Sequence, residues 1–519
     1  MADAQAPSAP GADASVGMRR EILVVLPGLL LAIMLAMLDQ LIVGTALPRI
    51  VGDLGGVAHL SWVVTAYVLA STITTPLYGK LGDMYGRKKL FMTAIVIFLA
   101  GSALAGLSQS MTMLITFRAI QGLGAGGLMV SAIAIIGDLV SPRERGQYMG
   151  YIMAVMMVAT IGGPLLGGWI TESFSWRWIF YINLPIGGVA LAYLAATLKL
   201  PKRHIEHRVD YLGAAVLAVA ATAVVLAATW GGTQYAWLSP QIIGLGVVAV
   251  LGVASFIWIE SRAAEPILPL HIFRSRNFSL VSALSFLTGL AMFGAITFLP
   301  LYQQTVQGAS PTVSGLLLTP MMVGVMITSL ISGQVTTRTG RYRALPILGA
   351  AGMTAGIGLL SMLGVNTSRV TSALFMLVLG LGMGFLMQLT TLLAQNSVEP
   401  RDIGVASSSR LFFQQIGGSI GVAAFGAIFA RRLQDALTTV SPNVHIATSG
   451  GQLNPATVKA LPPAIQHDVF YAITHAVQGV FLWALPATVL AFALTWFLKE
   501  VPLRGRAPAE EPAAPELVG

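Results

Sequence analysis

The sequence predicts an all-α polytopic membrane protein, and three observations point there: an apolar composition, fourteen long apolar runs, and basic residues gathered in alternate loops. Hydrophobic residues make up 55% of the 519 and charged residues only 10%. A soluble domain typically carries about 25% charged residues, so this chain cannot cover a water-facing surface, and its solvent must be lipid. The net charge of +9 raises nucleic acid as a partner. The basic residues sit between apolar runs rather than on one soluble face, which argues against it. Absence of cysteine excludes disulfides and thiolate metal sites. The seven histidines are scattered without ligand spacing, so neither a metal nor a cofactor is expected.

Residues 1–17 are rich in Ala, Pro, Ser and Gly and read as a disordered tail. They lack the charged start and short apolar core of a signal peptide. The first apolar run, 22–46, is long enough to cross a bilayer. Thirteen more follow at 60–78, 90–107, 113–139, 148–170, 178–198, 211–229, 242–259, 278–301, 313–335, 345–363, 371–393, 405–429 and 471–497. Only helices and closed barrels satisfy their backbone in lipid, and runs this continuous are helices rather than alternating barrel strands. With fourteen spans both termini share one side, and that side receives twenty-two of the thirty Lys and Arg, against six on the other. Two, Arg118 and Arg410, remain inside spans. This bias places both termini in the cytoplasm. The longest external loop is then 430–470, and 504–519 is a second disordered tail.

The segment Gly79-Lys-Leu-Gly-Asp83-Met-Tyr-Gly86-Arg87-Lys88-Lys89 has a counterpart in Gly333-Gln-Val-Thr-Thr337-Arg-Thr-Gly340-Arg341-Tyr-Arg343. Each follows an expected span and lies in a short loop, as in a duplicated transporter whose halves are related by an axis along the membrane normal. The halves read as 18–200 and 263–503, joined by a linker, 201–262, that carries two extra central spans.

Four segments resemble one family. Gly79 to Lys89 resembles the loop signature of the major facilitator superfamily. The stretch from Leu38-Asp39 through Gly44 to Pro48 is similar to the first-helix motif of drug:proton antiporters, with Gly44 where Asn is usual. Arg118-Ala-Ile-Gln121-Gly122-Leu-Gly124-Ala-Gly126 resembles the fourth-helix motif. Gly163-Pro164-Leu-Leu-Gly167-Gly168 resembles the fifth-helix antiporter motif, with Ala159 where an upstream Gly is common. The resemblance implies the major-facilitator fold, two six-helix bundles plus the two extra helices, in the fourteen-helix drug:proton antiporter branch.

Asp39 is the only acid well inside a span. A charge there costs roughly 2.5–3.5 kcal/mol on insertion scales, so it either exchanges a proton from a cavity or is permanently paired for structure. Arg118 lies at comparable depth and is its expected counter-charge, with a helix-packing arginine as the plainer reading. Gly163, Pro164, Gly167 and Gly168 suit a closely packed helix at an interface that rocks. The conformational-switch loop includes Gly79 and Gly86, and in it Asp83, Arg87 and Lys88 are placed to pair with acids at helix ends such as Asp138 in one transport state. A purely topological role for these charges is the alternative. Gly122, Gly124 and Gly127 fit a dinucleotide spacing, but no strand precedes them, so they read as helix packing. Methionine adapts to varied ligands, which makes Met153, Met156, Met321, Met322 and Met326, with Gln414, candidates for the substrate cavity. They serve equally well as core or lipid-facing residues. Arg410, Gln415 and His475 are weaker candidates.

No catalytic arrangement is visible. The expected function is proton-coupled antiport that exports hydrophobic or cationic drugs and antibiotics across the cell membrane. The alternatives are a dedicated exporter of one natural product or metabolite and, more distantly, a membrane-embedded enzyme. The expected partners are the small-molecule substrate, protons and the lipid membrane. Nothing in the sequence identifies an accessory export protein.

Overall fold

The computed structural model describes residues 10–54, 60–140, 145–198, 210–232, 234–263, 265–309, 311–440 and 462–502. Most of the N-terminal tail, the 504–519 tail and the centre of the 430–470 loop lie outside them. The N-terminal half comprises α1 (Pro10–Leu54), α2 (Leu60–Tyr85), α3 (Arg87–Gly106), α4 (Met111–Leu139), α5 (Arg145–Ser173), α6 (Trp178–Tyr181) and α7 (Asn183–Thr197). Next come α8 (Tyr211–Trp230) and α9 (Pro240–Glu260). The C-terminal half comprises α10 (Arg276–Thr305), α11 (Pro311–Leu317), α12 (Thr319–Thr339), α13 (Ala344–Leu360), α14 (Arg369–Asn396), α15 (Ile403–Val440) and α16 (Pro463–Thr495).

Twelve helices among the described residues are long and apolar enough to cross a membrane. Two of the fourteen expected spans fall short of that measure. Helix α13 is only 17 residues long. Helix α2 carries the buried hydroxyls Thr65, Thr72, Thr74 and Thr75, together with Lys80 and Asp83. Large apolar side chains such as Val189, Val250, Leu251, Leu374 and Trp483 point outward, as lipid-facing positions do.

The helices pack closely where small residues allow it. A Cβ on Gly126 of α4 would fall on Ser71 and Thr74 of α2, and one on Gly124 would fall on Ala94 and Phe98 of α3. In the other half, Gly382 of α14 meets α13 at Met353 and Gly384 meets α12 at Val325 and Thr328. Serines cap both central helices: Ser110 accepts from Met113 N, and Ser368 from Thr371 N. The two aligned loop glycines, Gly86 (φ 94°) and Gly340 (φ 68°), both have a positive φ, which glycine adopts without strain, though only Gly340 is in the left-handed helical region. The extra pair is central in the chain but peripheral in the bundle. Trp230 of α8 stacks edge-on against Trp62 of α2 at 5.3 Å, while α9 packs on α8 through Gly252 and Ala220 and is mostly exposed.

Candidate functional site

Asp39 sits in the middle of α1 with no exposed surface. Its Oδ2 accepts from Arg118 Nη1 of α4 at 2.5 Å. Its Oδ1 accepts from Gln121 Nε2 at 2.7 Å and from Asn183 Nδ2 of α7 at 2.8 Å. An ionised carboxylate is acceptor-only, and these three donors match one. A second ring of contacts fixes the donors. Arg118 Nε donates to Val63 O at 3.3 Å, Nη1 also donates to Gln121 Oε1 at 2.8 Å, and the guanidinium lies 4.1 Å above the Tyr67 ring. Asn183 also donates to Ser102 Oγ at 2.9 Å, and Ser102 in turn donates to Phe180 O. The network draws on α1, α2, α3, α4, α6 and α7, so any rearrangement around Asp39 is felt across the N-terminal half.

Residues 79–89, expected as a loop, are the end of α2 and the start of α3 with Gly86 between them, and they form a second cluster. Arg87 pairs with Asp83 at 2.8 Å and with Asp138 of α4 at 2.8 Å. The Asp83 carboxylate also accepts from Val405 N at the start of α15, at 3.1 Å, and so joins the two halves. Burial pushes this carboxyl up to about 6, a rise that Arg87 and the Val405 hydrogen bond partly offset. Gly79 lies against Ser408 and the Gly404 carbonyl, the latter 2.7 Å from where a Cβ would stand. Arg145 completes the seam: it donates to Gly137 O and Val140 O on its own side and to Gln395 Oε1 of α14 at 3.1 Å. Burial lowers its guanidinium to about 10. At this end the two halves are shut against each other. Lys88 takes no part, since its Nζ donates to Ala195 O in an exposed position.

Among the α5 motif residues, Gly163 makes a close approach, its Cβ position 2.7 Å from Leu41 Cβ of α1. Gly168 has nothing within 4 Å. Gly167 accepts from Thr171 Oγ1, and Pro164 lies within α5. Met156 packs against the cores of both halves, and Met153 joins the C-terminal core from α5. Met321 is completely buried, Met322 packs at the edge of the C-terminal core, and Met326 is half-buried. Gln414 bonds Arg410 inside the C-terminal half. A cavity of about 650 Å³ opens between α15 and α16, lined by Arg431, Arg432, Asp435, Tyr471, His475 and Trp483, and shares no residue with the Asp39 network. Among the described residues, no group of three or more His, Asp or Glu is placed to hold a metal ion.

The Major Facilitator Superfamily profile matches residues 29–422. The chain belongs to the major facilitator superfamily. An uncharacterized MFS-type transporter of Mycobacterium tuberculosis is 42% identical over 92% of this chain and 70% of its own length. The multidrug transporter protein MdtP of Bacillus subtilis is 41% identical over 79% of this chain and 76% of its own. Multidrug resistance protein 3 of the same organism is 37% identical over 91% and 94%. Among solved structures, the proton:xylose symporter XylE aligns with a TM-score of 0.61 at 14% identity, covering 93% of this chain and 98% of that one. The human organic anion transporter MFSD10 aligns with a TM-score of 0.58 at 15% identity, covering 92% and 99%. Likeness at such identities concerns the fold alone. This superfamily member is therefore a multi-pass membrane transporter whose relatives include multidrug efflux proteins.

Proposed function

We propose that the protein is a proton-coupled antiporter exporting hydrophobic compounds, drugs and antibiotics among them, across the cell membrane. The observation that carries this reading is Asp39. A carboxylate with no exposed surface, deep in an apolar bundle, is held by a guanidinium and an amide of α4 and an amide of α7. Taking up a proton there removes the charge that holds Arg118, so protonation and rearrangement of the N-terminal half are linked. The multidrug names of two relatives support the substrate breadth.

In this reading α2 and α13 also cross the membrane, giving fourteen spans. Both pack along their neighbours by the same kind of glycine contacts as the other helices. Both termini and the 79–89 loop lie on the cytoplasmic side, following the bias of basic residues. The seam through Asp83, Val405, Arg145 and Gln395 then closes the cytoplasmic face, which corresponds to an outward-facing form.

The test is uptake of a hydrophobic dye by everted membrane vesicles. Uptake should follow an imposed pH gradient and collapse when an ionophore dissipates it. Uptake indifferent to the gradient would remove proton coupling.

A further inference from the structure

Asp39 and Arg118 neutralise each other inside the N-terminal half. That leaves Arg410 of α15 as a buried cation with no carboxylate partner among the described residues. Its side chain is 4% exposed. Nη1 donates to Thr391 Oγ1 of α14 at 2.8 Å, Nη2 donates to Gln414 Oε1, and Nε has no partner. Gln388 of α14 is 1% exposed, with both the oxygen and the nitrogen of its amide unpartnered. Gln388 and Gln395 are seven positions apart, so they share one face of α14 about two turns apart. Gln395 touches Arg145 of the other half, so that face looks onto the seam between the halves. Thr391, which Arg410 reaches, lies between the two glutamines.

A guanidinium stays charged in any membrane environment and presents donors in a rigid fork that matches a carboxylate. Buried donors left without acceptors are costly, and an acceptor from outside would satisfy them. We propose that Arg410, with Gln388, Gln414 and Thr391, recognises an anionic oxygen, such as a carboxylate, on an otherwise hydrophobic substrate. This rests on the export reading and narrows it, because a buried guanidinium without a carboxylate partner favours acids over cations.

The test is equilibrium binding to the purified full-length protein in uncharged detergent near neutral pH, with pyrenebutyrate, its methyl ester and tetraphenylphosphonium as probes. The wild type should bind the acid at least about tenfold more tightly than the ester, as expected of a hydrogen bond to a charged group. Arg410→Gln should abolish that preference, and Arg410→Lys should keep part of it. Gln388→Leu should reduce it several-fold, about the worth of one lost hydrogen bond, and it serves as the second variant if Arg410→Gln does not fold. Arginine packed only for structure would affect stability without moving the acid-to-ester ratio. Equal binding of acid and ester by the wild type, a preference that survives Arg410→Gln, or tighter binding of the cation than the acid would overturn the proposal. Binding of dioctanoyl phosphatidylglycerol without the acid would assign the anion to a lipid headgroup and overturn it as well. Loss of gradient-driven dye uptake would strike the export reading alone, since the binding ratio is measured without a gradient.

Discussion

Helices α4 and α14 are counterparts in the two halves, and they handle charge in opposite ways. Each carries three glycines spaced two apart, Gly122, Gly124 and Gly126 in one and Gly380, Gly382 and Gly384 in the other, pressed against two neighbouring helices. Four positions before the first glycine stands Arg118 in α4 and Met376 in α14. The N-terminal half holds a complete ion pair whose carboxylate also accepts from two amides. In the C-terminal half Arg410 has no carboxylate partner among the described residues, and Gln388, three positions before the Thr391 that it bonds, has an amide with no partner. Close packing recurs in both halves, whereas the charges do not. The loops differ in the same way. Asp83 reaches across to Val405, while Thr337, at the equivalent place, donates to Gly333 O of its own helix.

The comparison breaks most visibly at Arg118. Removing one partner of a buried pair costs about 3–5 kcal/mol, so Arg118→Ala should lower thermal stability strongly and impair coupling. Met376→Leu, a volume-conserving swap, should cost less than about 1.5 kcal/mol. Equal losses in differential scanning fluorimetry would contradict the division between halves. Next comes Gly79→Ala, which forces a methyl onto Ser408 and the Gly404 carbonyl. Overpacking of this kind should work against the closed seam by about 1–3 kcal/mol. The chain has no cysteine, so labelling of a single Val405→Cys reports seam opening directly, and its rate should rise.

The pH dependence of that labelling sharpens the loop contrast. Asp83 titrates at about 6 in the closed seam, because burial raises it from 3.8. The closed form therefore binds a proton more readily than a form in which Asp83 meets water. Acidification from about pH 7 to about pH 5 should favour closure and slow the labelling of Val405→Cys by more than that of an exposed cysteine control, whose thiolate fraction also falls. Asp83→Asn should remove this excess slowing. The smallest effect belongs to Lys88→Ala. Its bond to Ala195 is exposed, and a stability change within about 0.5 kcal/mol is expected. A larger change would mean that the loop charges act together.

Asp39 and Arg118 were legible in the sequence because a charge inside an apolar run is expensive and stands out. Gln121 was visible only as part of a motif, and Asn183, Ser102 and Tyr67 were not singled out. Neutral polar groups cost little to insert, and their convergence on Asp39 depends on how the helices pack. The one available signal was an Asn in the apolar run 178–198. The pairing of Arg87 with Asp138 could be anticipated from helix ends, but the reach of Asp83 to Val405 spans 322 positions and needs the assembled halves. Lys88 shares the basic run with Arg87, yet it points to the end of α7. The apolar runs gave the helices their places. The hydroxyls of α2 are buried in the bundle, an orientation that the run 60–78 does not show. Gln388 carried no signal, because an amide in an apolar run does not reveal whether a partner meets it.

The most direct test of the account is substrate-induced proton release from proteoliposomes containing wild type, Asp39→Asn or Asp39→Glu. Asparagine keeps the shape of Asp39 but cannot titrate. Asp39→Asn should insert and bind substrate yet release no protons and lose uphill transport, while Asp39→Glu should keep part of both. Proton release from Asp39→Asn equal to that of the wild type would contradict the account.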